Sequence, residues 1–396
     1  MDILSKIKPS KEEKIFIEKT TKEFLNKLKK IKSFKPIIGG SISKDTWLSG
    51  TKEVDVFAAF NYNKFKEKNI SDVLNKELKK VFKIKKVHGS RDYFHILFNG
   101  VIFEVVPILD IKKPEQALNV TDLSPLHIKF VRKFSKLKDE IRILKSFCKS
   151  NYLYGAESYI SGFSGYALEV LVIYYGSFKN VLKNSLKWKE KTVLDFYKKL
   201  KNPLFELNPS KTISPLILID PVDKNRNLTS SLSLEKFNKF KELAKEYLKK
   251  PSEEFFILKK EIPKEAFVLK IKPVKGKIDI INSKIVKATE FMLNELNKNE
   301  FHLLKKDIFW GEEVIFWFTL KEKLLDEELI KKGPPENFEK NVSEFKKKYK
   351  KVFLKDGIYY SKVKRKYVKV EDLLKDLLNS EYVKERVKEI NTIDKC

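Results

Sequence analysis

Two cysteines in 396 residues, Cys148 and Cys396, are too few for a disulfide framework. Their scarcity predicts a reducing, intracellular setting. The four histidines (His88, His95, His127, His302) are scattered, and no Cys/His spacing suits zinc. No apolar run approaches the ~18 residues that a membrane-spanning helix requires. The richest, Tyr166 to Tyr175, spans ten residues and carries Glu169. The N-terminal MDILSKIKPS lacks an apolar h-region, so no secretory signal is expected. Together these absences predict a soluble, cytoplasmic protein with no membrane partner. Gly-x-x-x-x-Gly-Lys-Ser/Thr is absent, and with it the P-loop. No nucleophile elbow or Cys/His pairing stands out either. Arginine is rare too, with six residues (Arg91, Arg132, Arg142, Arg226, Arg365, Arg386).

Lysine is what the chain has in excess. Basic residues number 83 against 54 acidic ones, a formal net charge of +29. Such an excess favours a polyanionic partner, nucleic acid before an anionic membrane. The alternatives are a genome-wide lysine bias and the charged surface of a thermophile. Hydrophobic residues make up 42%, enough for several buried cores.

The order of elements predicts an α+β, multidomain chain. A capping-box pattern at Ser10 and Glu13 opens a helix running to about Ile31. PIIGGS (36–41) is a short strand ending in paired glycines, and EVDVFAAF (53–60) is a second strand. A helix over about 71–80 leads to strands at 93–98 and 101–109, joined by the hairpin dipeptide Asn99-Gly100. Residues 1–125 therefore read as a small α/β head. Residues 126–250 read as a helical neck, with a Leu137/Ile141/Leu144/Cys148 stripe and a buried helix at 166–178. Residues 251–396 read as a β-rich body with a tail. There, strand 267–273, a helix near 283–298 and strand 307–320 suggest a ferredoxin-like or RNA-recognition-type module. Gly333-Pro334-Pro335 is expected to break the chain before a lysine-rich helix at 336–351. A hairpin then turns at Asp356-Gly357.

The chemistry concentrates in GGSISKDTWLSGTKEVDVF (39–57). Backbone N–H groups at a turn opening on Ser41 suit phosphate oxygens. In an extended strand, Glu53 and Asp55 share one face. Two such neighbouring carboxylates repel unless a cation lies between them, and Mg²⁺ with oxygen ligands fits. Glu104, amid Val101-Ile-Phe and Val-Val-Pro-Ile, is a third acid in need of a partner. An alternating E-V-D-V run is also what a half-solvated edge strand looks like. The Gly-Ser turn and the third acid favour a two-metal phosphoryl-transfer site.

The segment G-S-x-x-x-x-T-W-L-x-G-x-x-E-V-D-V-F resembles the signature of DNA polymerase β-type nucleotidyltransferases. More narrowly, the chain resembles the archaeal (class I) CCA-adding enzymes, the tRNA nucleotidyltransferases. The likeness continues through SPLHIKFV (124–131), RILKSFCKSNYLYGAESYISGFSGYALEVLVIYYGSF (142–178), DPVDKNRN (220–227), GPP (333–335) and DGIYYSKVKRKY (356–367). It implies a polymerase-β-type head, a neck that recognises the base and a body that binds tRNA. It implies addition of CCA to tRNA 3′ ends from CTP and ATP, without a template and with Mg²⁺. Under it, Glu53, Asp55 and Glu104 hold the metals, and Glu104 activates the RNA 3′-hydroxyl. Ser41 and Lys44 hold the triphosphate, while His127, Lys145, Tyr154 and Arg226 contact the nucleotide. The chain departs from the family pattern at Glu104, usually aspartate, and at Lys44, usually arginine. The resemblance implies tRNA (acceptor arm and 3′ end), ATP and CTP as partners, and leaves room for a homodimer.

Taken singly, each residue also has a plainer reading. His127 could cap a helix, Tyr154 could be core, Lys145 could be solvated and Arg226 could lie in a surface turn. Rival functions are A-only or poly(A)-type addition on the same fold, and a non-catalytic tRNA-binding relative.

Overall fold

The first long helix starts where its capping sequence dictates. In the computed structural model, which describes residues 2–258, 260–311 and 313–393, Ser10 Oγ accepts the Glu13 N–H at 3.1 Å. Glu13 Oε2 accepts the Ser10 N–H at 2.7 Å in return. These bonds satisfy two orphan donors and open α1 (Lys11–Leu28). The helix stops short of the expected Ile31, because Ile31 N–H bonds Leu28 C=O at 3.0 Å and tightens the last turn. Cys396, and Glu312 within the stretch expected as strand, lie outside the described residues.

The head follows as β1 (Lys35–Ile38), α2 (Gly40–Lys44), β2 (Glu53–Asn61), α3 (Ile70–Lys79), β3 (Lys85–Val87), β4 (Tyr93–Phe98) and β5 (Val101–Asp110). The sheet order is β1-β2-β5-β4-β3. Asn99 and Gly100, with φ of 47° and 77°, make the hairpin turn between β4 and β5. β2 and β5 are parallel neighbours at the centre, with Asp55 paired to Glu104. Side chains alternate across the sheet. One face sets Val54, Val56, Phe60, Phe94 and Phe103 against α1 and α3. Phe24 stacks on Phe103 there, with centroids 3.9 Å apart. The other face packs Phe57, Ala59, Val106 and Ile108 against Ile128. That second face also carries Glu53, Asp55 and Glu104. Alternation therefore delivers the acids to the edge of a covered apolar patch.

Helices α4 (Ser124–Arg132), α5 (Lys138–Ser150), α6 (Gly165–Tyr175), α7 (Phe178–Ser185) and α8 (Leu234–Lys249) continue the chain. They build a core around Leu144, Phe147, Cys148, Leu171 and Phe240. The helix expected over 166–178 is in fact two. Gly176 (φ 82°) closes α6 by donating its N–H to Val172 C=O at 2.7 Å, and Ser177 caps α7. Two short parallel strands, β6 (Thr192–Leu194) and β7 (Leu216–Leu218), precede α8. Residues 1–259 form one compact unit and residues 260–396 a second.

The second unit contains β8 (Phe267–Lys272), α9 (Ile278–Lys298), β9 (Leu303–Phe309) and β10 (Val314–Leu320), then, later in the chain, α11 (Val370–Asn379) and β14 (Glu389–Thr392). Its antiparallel sheet runs β14-β8-β10-β9, the order of a ferredoxin-like module. The strand expected over 307–320 is a hairpin of β9 and β10, whose nearly continuous apolar run hid the turn. Between β10 and α11 the chain inserts β11 (Glu328–Pro335), α10 (Glu339–Lys348), β12 (Val352–Lys355) and β13 (Ile358–Lys364). Gly333-Pro334-Pro335, expected to break the chain, instead ends β11. This strand is an edge of the sheet β11-β13-β12, where proline's missing N–H is tolerated. The hairpin of β12 and β13 turns at Asp356 and Gly357 as expected, with φ of 49° and 72°. Among the described residues no helix is long and apolar enough to cross a membrane.

Candidate active site

Register brings the acids together. Asp55 of β2 stands opposite Glu104 of β5, and Glu104 opposite His95 of β4, so the three form a row across the sheet. His95 Nε2 lies 3.1 Å from Glu104 Oε2. Glu53, two residues before Asp55, extends the acidic face into solvent. At the other end of the row lies the paired-glycine turn, where Gly39 N–H bonds Asp55 C=O at 2.8 Å. A Cβ on Gly40 would sit 1.5 Å from Asp55 Oδ2, and Gly40 has φ of 56°. Only glycine lets the turn pass this close beneath the carboxylate.

Crowding of like charge shows in the acidities. Burial raises the Asp55 carboxyl most, and Glu53 adds to this against the pull of Lys44. Burial, then Asp55 and Glu53, push Glu104 up to about 8. Among the described residues none of these acids forms an ion pair with a lysine or arginine. Hard oxygen donors short of a cation are a fitting set for Mg²⁺. No three Asp, Glu, His or Cys side chains among the described residues are gathered into a ready-made cage. That suits an ion that retains water and takes substrate oxygens as further ligands.

A second cluster is cationic and buried. Ser41 lies in the first turn of the short helix α2, and Lys44 ends it. Lys44 Nζ and Lys145 Nζ each lie 2.6 Å from an oxygen of Glu169, which has no exposed surface. Thr46 Oγ1 donates to Glu169 Oε1 at 2.9 Å and accepts from Lys145 at 3.0 Å. Burial opposes the Glu169 charge, but Lys145 and then Lys44 outweigh it and hold the carboxyl down at about 2. Burial lowers Lys145 to about 8 despite Glu169. Two ammonium groups share one carboxylate, which leaves a surplus positive charge in a nearly dry place. A surplus of this kind attracts an anion.

Helices α4 and α5 clamp the end of α2 and the loop that follows Lys44. Arg132 Nε donates to Ser43 C=O at 2.8 Å. The fully buried Arg142 donates from Nε to Trp47 C=O at 3.0 Å and pairs with Asp45 and Asp139.

Around the third cluster, His127 Nε2 donates to Asp220 Oδ2 at 2.9 Å, and Arg226 meets the same oxygen at 3.2 Å. Tyr166 stacks on His127 (4.1 Å, 27°) and its ring lies 5.9 Å from Lys44 Nζ. Tyr154 is half-buried beneath Lys149, whose Nζ is 5.0 Å from the ring centroid. Its hydroxyl would clash with a Cβ on Gly165 at 2.6 Å, which explains the second glycine of GFSG. Arg226 and Ser164 line a cavity of about 510 Å³.

The structure thus links Lys44 to Lys145 through Glu169 and His127 to Arg226 through Asp220. Sequence alone misses these connecting acids, together with His95, Thr46 and Tyr166. Glu169 leaves a signal, a lone acid in an apolar helix, which demands cationic partners. His95 leaves none, because it depends on strand register.

This fold and its row of carboxylates beside a glycine turn define a nucleotidyltransferase of the polymerase-β type. The architecture resembles that of solved RNA terminal uridylyltransferases. One has a TM-score of 0.51 at 12% identity, covering 66% of this chain and 97% of that one. A cytoplasmic RNA terminal U-transferase has a TM-score of 0.50 at 14% identity, covering 66% and 97%. Residues 139–257 match the family model of the tRNA nucleotidyltransferase second domain, and residues 268–391 that of the CCA-adding enzyme C-terminal domain. The CCA-adding enzyme of Nanoarchaeum equitans is 36% identical over 339 residues, 83% of this chain and 84% of that protein. That of Sulfurisphaera tokodaii is 34% identical over 388 residues, 94% and 90%. The chain belongs to the CCA-adding enzymes, the tRNA nucleotidyltransferases of archaea.

Proposed function

We propose that this protein adds CCA to tRNA 3′ ends from CTP and ATP without a template, acting in the cytoplasm. The observation that carries this reading is the juxtaposition of opposite clusters within one compact unit. Of the three carboxylates on one sheet face, Asp55 feels the charge of Lys44 and Lys145, two lysines that share a single buried counter-charge. That is the charge pattern of a polyphosphate whose reacting phosphorus is held near acids.

Residues 1–125 serve as the catalytic head, 126–250 recognise the nucleotide base, and 251–396 bind tRNA. Glu53, Asp55 and Glu104 would hold Mg²⁺, which when bound would offset phosphate charge and lower the pKa of the attacking hydroxyl. The backbone turn at Gly40 and Ser41, with Lys44, grips the triphosphate. Lys145 adds charge from beneath. His127, Tyr154 and Arg226 border the nucleoside. The RNA 3′-oxygen forms a bond to the α-phosphorus as the bond to the bridging oxygen breaks. Pyrophosphate leaves, and the hydroxyl proton passes to Glu104 or solvent. The acceptor arm is held mostly through phosphates and helix shape. A homodimer is compatible with this arrangement.

The test is an assay of purified protein with Mg²⁺ and each labelled NTP in turn, on tRNA lacking CCA and on tRNA ending in CC. C addition to the first and A addition to the second are expected. A-only addition to both, long A tails, or no release of pyrophosphate would each overturn the reading.

A further inference from the structure

Asp220 is fully buried in the loop after β7, and its carboxylate is saturated. Oδ2 accepts from His127 Nε2 at 2.9 Å and from Arg226 at 3.2 Å. Oδ1 accepts from the Tyr166 hydroxyl at 3.2 Å and from Val222 N–H at 2.8 Å. His127 lies 93 residues away in sequence, so this one oxygen joins α4 to the loop that carries Arg226.

A carboxylate only accepts hydrogen bonds, so each nitrogen facing it must carry a proton. Burial favours the uncharged ring of His127, although Asp220 pulls the other way. An uncharged imidazole has one N–H, and Asp220 fixes it at Nε2, which makes Nδ1 an acceptor. The guanidinium of Arg226 is planar and rigid. Pinning one terminal nitrogen to Oδ2 restricts the plane in which its other donors lie. Stacking of Tyr166 on His127, with the Tyr166 hydroxyl on the other oxygen, holds the imidazole against rotation.

We propose that Asp220 is a positioning residue for nucleotide selection. Through Oδ2 it sets both the tautomer of His127 and the plane of Arg226, so that an incoming base meets one fixed pattern of donors and acceptors. This rests on the reading of the chain as an enzyme that selects CTP and ATP. Asp220→Asn is the informative change. Tyr166 and Val222 both donate, so the amide oxygen stays on their side and the NH₂ turns toward His127 and Arg226. Donor then faces donor, which forces His127 to the Nδ1–H tautomer and frees the guanidinium.

Two measurements test this. In wild-type protein carrying ¹⁵N-histidine, His127 should show the Nε2–H tautomer by NMR. An Nδ1–H tautomer there overturns the proposal without any variant. In Asp220→Asn, His127 should switch tautomer. The preference for CTP over UTP and for ATP over GTP, read as kcat/KM ratios, should fall about tenfold or more. The kcat with correct nucleotides should fall less. A variant that switches tautomer yet still selects like wild type overturns the proposal. If Asp220→Asn does not fold, Arg226→Lys, which keeps Asp220 but loses the plane, must show the same loss of selection. Wild type that adds nothing to tRNA lacking CCA refutes the functional reading itself. Clean CCA ends from both proteins refute Asp220 positioning alone.

Discussion

Glu53 and Asp55 sit two residues apart on one strand, and neither belongs to the buried apolar clusters on the two faces of the sheet. Replacing either by alanine should abolish nucleotide addition while leaving tRNA affinity within a few-fold. Single-turnover addition and filter binding measure the two separately, and retained turnover would place the metal elsewhere. Glu104 invites a graded comparison. Gln cannot ionise to give an anionic oxygen to a metal, whereas Asp can on a shorter arm, so Glu104→Gln should lose far more activity than Glu104→Asp. Equal turnover of the Gln variant and wild type would make Glu104 a structural partner of His95. Glu169 predicts a dependence on pH. Its folded acidity lies at about 2 against an ordinary 4.5. The unfolded chain therefore binds the proton first as pH falls. The stabilisation is complete above about 4.5 and is lost between about 4.5 and 2, on the order of 3 kcal/mol. Urea unfolding should show a steep acid limb in wild type and a flatter one in Glu169→Gln, which is also less stable at neutral pH.

At the scale of elements, the turn between β1 and α2 lends itself to test. Gly40→Ala places a methyl group on the Asp55 carboxylate and strains a left-handed backbone, so it should eliminate activity. Gly50 is also left-handed at φ 77°, but a methyl group there would meet nothing within 4 Å. Gly50→Ala should cost only about 1 kcal/mol of stability and leave turnover intact. Thermal melts and turnover of the pair separate steric from conformational effects. Much of this geometry is legible in the residues themselves. The capping box at Ser10, the turn at Asn99-Gly100 and the E-V-D-V alternation are local signals, and each folds as its residues dictate. What stays hidden is what only register or long-range packing creates. His95 reaches Glu104 through strand pairing, and Asp220 reaches His127 across 93 residues. The β9–β10 hairpin is hidden for another reason, since strong apolar residues run up to both sides of its turn.

At the scale of the whole molecule, a net charge of +29 should appear as a salt dependence. Contacts to about six phosphates predict a log–log slope of about −4 to −5 for tRNA affinity, because bound cations are released. A slope near zero, measured by titration from low to moderate salt, would mean that the lysines only solvate the surface.

The pairing of β14 with β8 has a consequence for how the protein is made. Lys272 and Glu389 meet across 117 residues, with an entire three-stranded module between them. The strand that completes the second sheet therefore emerges from the ribosome more than a hundred residues after the strand it pairs with. Until it does, β8 presents an open edge, the surface on which nascent chains pair wrongly. Closing so long a loop is slow, though the entropy penalty grows only with the logarithm of its length. Polysomes translating this chain should thus carry a first unit that is already folded and a second sheet still waiting for its edge, with chaperone demand concentrated between the synthesis of β8 and that of β14.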